Sequence, residues 1–247
     1  MNFVVVIPAR YASTRLPGKV LRELAGKPML QHVYERGCES SADEVVVATD
    51  DERIASAAEG FGATVCMTAN HHRSGTERIA EVADILDWDD EQIVVNLQGD
   101  EPAMPPSLID QCASLLHGSD ADLATLASPL ANAGDFADPN VVKVIRDIDG
   151  NAIYFSRAAI PFAREAESRQ RAESAALHHH GIYAYRCGVL RKLVAAPPAD
   201  LEMCEQLEQL RALSLGMTIA VGVPTMRPGT GVDTEDDLRQ AERELDG

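Results

Sequence analysis

The sequence has no long hydrophobic run and only one tryptophan. No stretch of 18 consecutive apolar residues occurs, which argues against a membrane-spanning helix. The first eight residues lack the basic segment and the length of a secretory signal peptide, and they are typical of a buried strand. We therefore expect a cytoplasmic location and no membrane partner.

Paired cysteines are absent as well. The five cysteines are scattered along the chain and include no C-x-x-C pair. An odd, dispersed set argues against both a disulfide framework and a structural zinc site. Small core residues are the better interpretation.

Positive charge is scarce and concentrated at one end. The formal net charge of −17 disfavours nucleic acid or an anionic membrane as a partner. Residues 1–27 nevertheless hold five cations and one anion, a net charge of +4, so the remaining residues carry −21. A cationic region in an acidic protein indicates a small anionic ligand that is bound locally.

The first half of the chain alternates predicted strands and helices. Continuous apolar runs predict strands that are covered on both faces, and helical spacing of apolar residues predicts the helices between them. The strands are Phe3–Ile7, Val45–Thr49 and Gln92–Leu97, and the helices are Met29–Ser40, Glu52–Phe61 and Thr76–Leu86. Asp51 is a candidate cap of the second helix, and Ser74 or Gly75 of the third. This order predicts a doubly wound α/β fold with a mostly parallel sheet.

The second half is less regular, and it predicts a smaller, β-rich antiparallel part. The turn at residues 147–151 predicts a hairpin between two of its strands. The predicted strands are Leu123–Ser128, Val141–Ile145, Ala152–Phe155, Ile182–Tyr185 and Thr218–Val223. Helices are predicted at Leu201–Leu213 and Thr234–Leu245, and residues 163–177 as a loop or short helix. At 247 residues we expect one domain, 1–247.

The loop after the first strand carries three cations and two aliphatic hydroxyl side chains within residues 8–19. Ligands in open α/β sheets bind beyond the carboxyl ends of the strands, where this loop lies. Arginine and lysine there suit a phosphate ligand. The loop matches neither the Walker A pattern nor G-x-G-x-x-G, and a solvated basic loop is the alternative.

Two acidic segments are candidates for a metal site. Asp100 and Glu101 follow the third predicted strand, where a carboxylate can hold Mg²⁺ through hard oxygen ligands. Asp233 follows two glycines at the predicted start of the last helix. Simpler interpretations stay open: an acidic turn before a proline for the first pair, and an ordinary helix cap for Asp233.

Residues 7–19 closely resemble the N-terminal signature of the 3-deoxy-manno-octulosonate cytidylyltransferases (CMP-Kdo synthetases). Residues 96–102 and 228–234 are similar to the family's N-V-Q-G-D-E-P and P-G-T-G-V-D-T, with Leu97 as the only difference. Residues 178–186 and 205–211 are similar to two further motifs, so the resemblance covers nearly the full chain. The chain departs from the family pattern at His71, at Phe162, at Ala184 and within residues 163–177.

The resemblance implies a nucleotidyltransferase (Rossmann-like) fold in which residues 1–125 bind CTP. Lys19, Arg15 and Asp100 are implied as catalytic residues, and Asp100 and Asp233 as ligands of Mg²⁺. The implied nucleotide-binding residues are Arg10, Ser13, Arg15, Lys19, Ala48, Thr49, Asp50, Ser74, Gln98 and Gly99. Helix capping remains an alternative for Ser74.

The resemblance also implies that residues 126–247 bind the sugar and contribute to a homodimer. The implied sugar-binding residues are Gln98, Arg157, His179, Tyr183, Tyr185, Glu208 and Gln209. For Arg157 a sugar carboxylate is the implied ligand, and a surface salt bridge is the alternative. In the run 178–180 only His179 aligns with the family's histidine, and alternation along an extended segment disfavours a three-histidine metal site.

The implied reaction transfers CMP from CTP to the anomeric hydroxyl of Kdo and releases pyrophosphate, which activates the sugar for lipopolysaccharide synthesis. Two alternatives remain open. One is a cytidylyltransferase for a related sugar acid, 8-amino-Kdo or sialic acid. The other is a non-catalytic nucleotide-binding regulator on the same fold.

Overall fold

A computed structural model describes residues 1–12, 16–132 and 134–245. Within them, nine strands form one mixed sheet and two short strands form a separate pair. The strands are β1 (Phe3–Ala9), β2 (Glu23–Leu24), β3 (Lys27–Pro28), β4 (Glu44–Thr49), β5 (Thr64–Met67), β6 (Ile93–Asn96), β7 (Leu123–Pro129), β8 (Lys143–Arg146), β9 (Ala152–Ser156), β10 (Leu177–Arg186) and β11 (Ile219–Gly222).

Nine α-helices occur in the same described residues. They are α1 (Met29–Cys38), α2 (Glu52–Gly60), α3 (Gly75–Ile85), α4 (Pro106–His117), α5 (Arg169–Ala175), α6 (Cys187–Ala195), α7 (Asp200–Glu205), α8 (Gln209–Ser214) and α9 (Glu235–Leu245). Within these residues, no helix is long and apolar enough to cross a bilayer.

The predicted parallel strands of the first half are confirmed. β1 pairs in parallel with both β4 and β6, and β4 pairs in parallel with β5. The side chains of β1 enter two different buried clusters, Phe3 and Val5 on one face and Val4 and Val6 on the other. This two-sided burial is what the continuous apolar run predicts.

The predicted helix starts of α2 and α3 are also confirmed. The Asp51 carboxylate accepts a hydrogen bond from the Arg53 N–H at 3.0 Å, and the Ser74 hydroxyl accepts one from the Glu77 N–H at 3.2 Å. Each side chain satisfies a backbone donor that has no partner within its helix.

The second half supplies the antiparallel part, as predicted. β10 is antiparallel to β6 on one side and to β7 on the other, so one sheet runs through both halves of the chain. β8 and β9 form the predicted hairpin. β10 begins five residues before the predicted strand and includes the histidine run, and residues 169–175 form the short helix α5.

The prediction of one helix over Leu201–Leu213 is wrong. The structure has two short helices, α7 and α8, because Gln206 adopts a left-handed conformation with φ of 54°. A residue in that conformation ends a helix. The chain therefore turns between Glu205 and Gln209, and this turn matters for the site described below.

Candidate functional site

A cavity of about 640 Å³ opens at the edge of the sheet where β1 and β6 end. This edge is the one at which α/β sheets bind ligands. The cavity is lined by Pro8, Ala9, Arg10, Ala12, Lys19, Val20, His72, Ser74, Gly75, Arg78, Gln98, Gly99, Asp100 and Asp233. Seven residues predicted from the sequence are among them.

The described residues of the loop after β1 contribute to one wall of this cavity. Arg10 lies on the wall and is exposed, whereas Ser13 and Arg15, two predicted phosphate contacts, lie outside the described residues. Gly18 turns the chain back with φ of 65°, and its N–H donates to the Tyr11 carbonyl at 3.0 Å. A side chain at Gly18 would meet the Tyr11 ring, so the glycine is needed to bring Lys19 to the cavity.

Lys19 joins the two predicted metal ligands. Its ammonium donates to Asp100 Oδ2 at 2.7 Å and to Asp233 Oδ1 at 2.9 Å. A third hydrogen bond goes to the Val232 carbonyl at 2.9 Å. Two carboxylates that are far apart in the sequence therefore lie on either side of one cation.

Glycines allow the segment 228–233 to reach Asp100. A Cβ atom at Gly229 would lie 2.3 Å from the Ala103 carbonyl oxygen, and one at Gly231 would lie 2.8 Å from Glu101 Oε1. The Val232 N–H donates to the Asp100 carbonyl at 2.8 Å. Close backbone packing of this kind is open only to glycine, and it places Asp233 next to Asp100.

Asp233 is not the cap of the last helix. The Thr234 hydroxyl accepts a hydrogen bond from the Asp237 N–H at 3.2 Å, and the Thr234 N–H donates to Asp237 Oδ2 at 2.8 Å. Thr234 thus serves as the cap. The Asp233 carboxylate instead faces Lys19.

The charges at this point shift the pKa values of two groups. Burial alone would lower the pKa of Lys19, but pairing with Asp100 and Asp233 outweighs burial and raises it. Burial, together with the charges of Asp100 and Asp233, raises the pKa of Glu101 to about 8. At neutral pH Lys19 is therefore charged and Glu101 is mostly protonated.

A buried arginine connects β4 to the cavity. The Arg78 guanidinium forms an ion pair with Asp50 at 2.9 Å and a hydrogen bond with the Thr68 hydroxyl. The predicted nucleotide-binding residues Ala48 and Thr49 are fully buried at the end of β4, behind the described wall of the cavity. Their role stays a prediction.

The carboxylate of Glu208 lies at the start of α3. It accepts hydrogen bonds from the Ser74 hydroxyl at 2.8 Å and from the Thr76 hydroxyl at 2.7 Å. Ser74 therefore both caps α3 and holds Glu208. Gln98, also predicted, lies on the cavity wall and donates to Asn96 Oδ1 at 3.3 Å, and Gly99 lies against the Pro8 carbonyl.

The predicted aromatic sugar-binding residues form a layer on β10. The rings of Tyr183 and Tyr185 stack at 5.7 Å, and the His179 ring lies 5.3 Å from Tyr183. Burial lowers the pKa of His179 to about 3, so its ring is neutral. Its Nε2 atom lies 3.1 Å from the Thr125 hydroxyl. Gln209, next to Glu208 in the sequence, is buried.

Comparison with known proteins places the chain in a family. The family model described as cytidylyltransferase matches residues 4–219. A 3-deoxy-manno-octulosonate cytidylyltransferase of Thioalkalivibrio sulfidiphilus is 52% identical over 99% of both chains, and one of Yersinia enterocolitica is 51% identical over 96% of both. The chain belongs to the 3-deoxy-manno-octulosonate cytidylyltransferase family.

Solved structures agree with this assignment. A CMP:2-keto-3-deoxy-manno-octonic acid synthetase complexed with CTP matches with a TM-score of 0.89 and 41% identity, over 100% of this chain and 99% of the other. A cytidylyltransferase of Leptospira borgpetersenii matches with a TM-score of 0.60 over 96% of this chain and 82% of the other. At 18% identity the second match shows the fold alone. The predicted nucleotidyltransferase fold is confirmed.

The residues of this cytidylyltransferase fit a magnesium ion. Asp100 and Asp233 provide hard oxygen donors at one point, and the ammonium of Lys19 already lies between them. No group of three or more His, Cys, Asp or Glu side chains suited to a metal occurs in residues 1–12, 16–132 and 134–245. Mg²⁺ typically takes one or two carboxylates and completes its shell with water and phosphate oxygens, which matches this donor set.

The three consecutive histidines, residues 178–180, divide between two faces of β10. The rings of His178 and His180 lie 4.9 Å apart, while the His179 ring packs edge-on against Phe155. The His180 Nε2 atom lies 2.9 Å from the Ser128 hydroxyl. The three side chains therefore do not converge on one point.

Three polar residues of the site, His72, Arg78 and Glu205, are missing from the site residues predicted from the sequence. Arg78 lies on the cavity wall although its side chain is almost fully buried, and the Glu205 carboxylate accepts a hydrogen bond from the Arg157 N–H. The signal for Arg78 is its place in the Ser-Gly-Thr-Glu-Arg segment that opens α3. Glu205 is the first residue of the segment 205–211 that resembles a family motif, but its contact with Arg157 has no local signal, because that contact depends on the break at Gln206.

Proposed function

We propose that this chain transfers CMP from CTP to the anomeric hydroxyl of Kdo and releases pyrophosphate. The support comes from full-length similarity to 3-deoxy-manno-octulosonate cytidylyltransferases and to a solved relative complexed with CTP. One observation of the site carries the proposal: Lys19, Asp100 and Asp233 meet in a cavity at the edge of the parallel sheet. A cation and a carboxylate pair at that edge suit a triphosphate with its metal.

The proposed step is an in-line attack of the anomeric hydroxyl oxygen on the α-phosphorus of CTP. The bond between this phosphorus and the oxygen that bridges it to the β-phosphate breaks, pyrophosphate leaves with that oxygen, and the hydroxyl proton passes to solvent. Asp100 and Asp233 would hold Mg²⁺, which when bound neutralises charge on phosphate oxygens and lowers the pKa of a coordinated hydroxyl. Lys19, with Arg10, Ser13 and Arg15 of the same loop, binds the triphosphate and neutralises the leaving pyrophosphate. Catalysis is then mainly positioning and charge stabilisation.

The base and ribose are proposed to lie against Ala48, Thr49, Asp50, Ser74, Gln98 and Gly99. Ser74 and Gly75 stand at the start of α3, where unpaired N–H groups favour polar ligand atoms. Three of these six residues line the cavity.

The sugar is proposed to bind along β10 and the turn after α7. Arg157 would pair with the sugar carboxylate, and the hydroxyl groups would contact Gln98, His179, Tyr183, Tyr185, Glu208 and Gln209. The Glu208 carboxylate supports this proposal because it lies beside Ser74, at the edge of the nucleotide cavity.

A homodimer and a cytoplasmic location belong to the same proposal. Ile148 and Phe162, both in the second half, are 101% and 87% exposed and offer apolar surface to a second copy. Light scattering coupled to size-exclusion chromatography should give twice the mass of one chain. A single-chain mass at micromolar concentration would contradict the dimer.

The decisive assay measures pyrophosphate release with each NTP against Kdo, 8-amino-Kdo and sialic acid. We expect turnover only with CTP and highest kcat/KM with Kdo. A higher kcat/KM with another sugar acid would show that this sugar is the substrate, and the transfer of CMP would remain the reaction. CTP binding in calorimetry without turnover on any sugar would instead support a non-catalytic regulator.

A further inference from the structure

The turn between α7 and α8 sends two carboxylates in different directions. Because Gln206 breaks the helix, Glu208 contacts the start of α3 while Glu205 contacts the end of β9. A continuous helix would place these side chains, three positions apart, on one face. The break thus gives Glu205 a contact that the sequence pattern does not predict.

The Glu205 carboxylate holds the main chain at Arg157. Its Oε1 atom accepts a hydrogen bond from the Ser156 hydroxyl at 2.6 Å, and Oε2 accepts one from the Arg157 N–H at 2.9 Å. The Glu205 carbonyl also accepts a hydrogen bond from Arg157 Nε at 2.8 Å. One residue therefore fixes both the backbone and the side chain of Arg157.

Lys143 fixes the backbone on the other side of Arg157. Its side chain is fully buried, and its ammonium donates to the Arg157 carbonyl at 2.7 Å. Two further hydrogen bonds go to the carbonyls of Asp138 at 2.7 Å and Val141 at 2.6 Å. The Arg157 backbone is thus held at its N–H and at its C=O.

The Arg157 guanidinium has no carboxylate partner among the described residues. Its Nε and Nη1 atoms donate to the carbonyl oxygens of Glu205 and Pro139. In the described part of the chain its side chain forms no ion pair with a carboxylate, so a surface salt bridge is not what the structure shows. A held but electrically unpaired guanidinium suits an anionic ligand group.

We propose that Glu205 is a positioning residue that fixes Arg157 for the carboxylate of the sugar acid. Glu205 does not touch the sugar in this account and acts only through Arg157. The proposal rests on the proposed role of Arg157, and the experiment below separates the two. Loss of one charged hydrogen bond to Arg157 should loosen its geometry and weaken sugar binding, while CTP binding stays as it is.

The test is a double-mutant cycle on Glu205→Gln and Arg157→Ala, with KM for Kdo and for CTP measured from pyrophosphate release. Glutamine has one acceptor oxygen in place of two, so it cannot accept hydrogen bonds from both the Ser156 hydroxyl and the Arg157 N–H. We therefore expect Kdo KM to rise about tenfold, which corresponds to the loss of one hydrogen bond to a charged group. CTP KM should stay within about twofold. In the Arg157→Ala background, Glu205→Gln should add less than about twofold, because residues that act through one another are not additive.

Two further variants keep the result interpretable. Glu202→Gln, on the same helix, breaks the buried ion pair with Arg211, so it should lower thermal stability and leave Kdo KM unchanged. Ser156→Ala removes one of the two hydrogen bonds to the Glu205 carboxylate, together with the one that the Ser156 hydroxyl accepts from the Ala158 N–H. It should raise Kdo KM by a smaller factor, and it replaces Glu205→Gln in the test if that variant does not fold.

The outcomes separate this proposal from the one on which it rests. If Arg157→Ala raises Kdo KM but neither Glu205→Gln nor Ser156→Ala does, the positioning role of Glu205 is wrong. If the two single effects multiply in the double variant, Glu205 acts independently of Arg157 and the proposal is also overturned. If Arg157→Ala itself leaves Kdo KM unchanged, the role of Arg157 in sugar binding is wrong.

Discussion

Lys19 provides the charge that holds two carboxylates together at the rim of the sheet. Replacing it by methionine removes the proposed phosphate contact and leaves Asp100 and Asp233 without the cation between them. Removal of one hydrogen-bond donor that stabilises charge in a transition state typically lowers kcat about 10²–10³-fold, and we expect a loss of that size together with a raised CTP KM. Steady-state pyrophosphate release measures both values.

Lys27→Met is the matched control for this residue. Lys27 is half exposed and pairs with Glu35 away from the cavity, so its replacement should leave kcat and CTP KM near the wild-type values. A Lys19→Met enzyme with kcat within about threefold of wild type, a difference of only ~0.7 kcal/mol, would contradict the role of Lys19.

At the scale of elements, the segment 228–233 delivers Asp233 to the site because it can pack against residues 100–104. Gly229→Ala would place a methyl group on the Ala103 backbone, so the segment must move. We expect a loss of about 1–3 kcal/mol in the free energy of unfolding, typical of overpacking, together with a clear loss of kcat. Urea denaturation and the pyrophosphate assay measure the two effects.

Gly60→Ala is the control, because Gly60 lies in α2 and, apart from its own helix, no atom of the described residues stands within 4 Å of the position that an added methyl group would take. There alanine should be neutral or slightly stabilising. If Gly229→Ala behaves like Gly60→Ala in both measurements, the close packing of this segment does not position Asp233.

The elements also show how far sequence reasoning reaches. Buried parallel strands and capped helices follow from local patterns, and β1, β4, β6, α2 and α3 are predictable for that reason. The break at Gln206 is not, because nothing in local propensity marks a non-glycine residue with φ of 54°. The motifs predict Asp100 and Asp233 as partners, but the contact of Glu205 with Arg157 depends on that break and on tertiary packing.

At the scale of the whole molecule, buried histidines make the fold sensitive to acid. Burial lowers the pKa of His179 to about 3 and that of His180 to about 4, below the ordinary value of about 6.5. Between these values the unfolded chain binds protons that the folded chain does not, so stability falls as pH decreases from about 6.5. Between pH 7 and pH 5, each of these two rings should lower the free energy of unfolding by about 1–2 kcal/mol.

Urea unfolding of wild type and His180→Gln at pH 7 and pH 5 tests this effect. The variant should lose less stability than wild type over that interval, by about 1–2 kcal/mol. His117→Gln, at an exposed histidine, should show the same pH dependence as wild type. Equal pH dependence in wild type and His180→Gln would show that burial of this ring does not govern acid stability.

In the proposed mechanism, Asp100 and Asp233 together hold a divalent ion beside the triphosphate. The direct test is electron paramagnetic resonance of Mn²⁺, used in place of Mg²⁺, titrated into the enzyme with CTP. We expect tight binding in wild type and in Asp236→Asn, an exposed neighbour paired with Arg239, and at least about tenfold weaker binding in Asp100→Asn and in Asp233→Asn. Mn²⁺ affinity that is unchanged in both Asp100→Asn and Asp233→Asn would contradict the account.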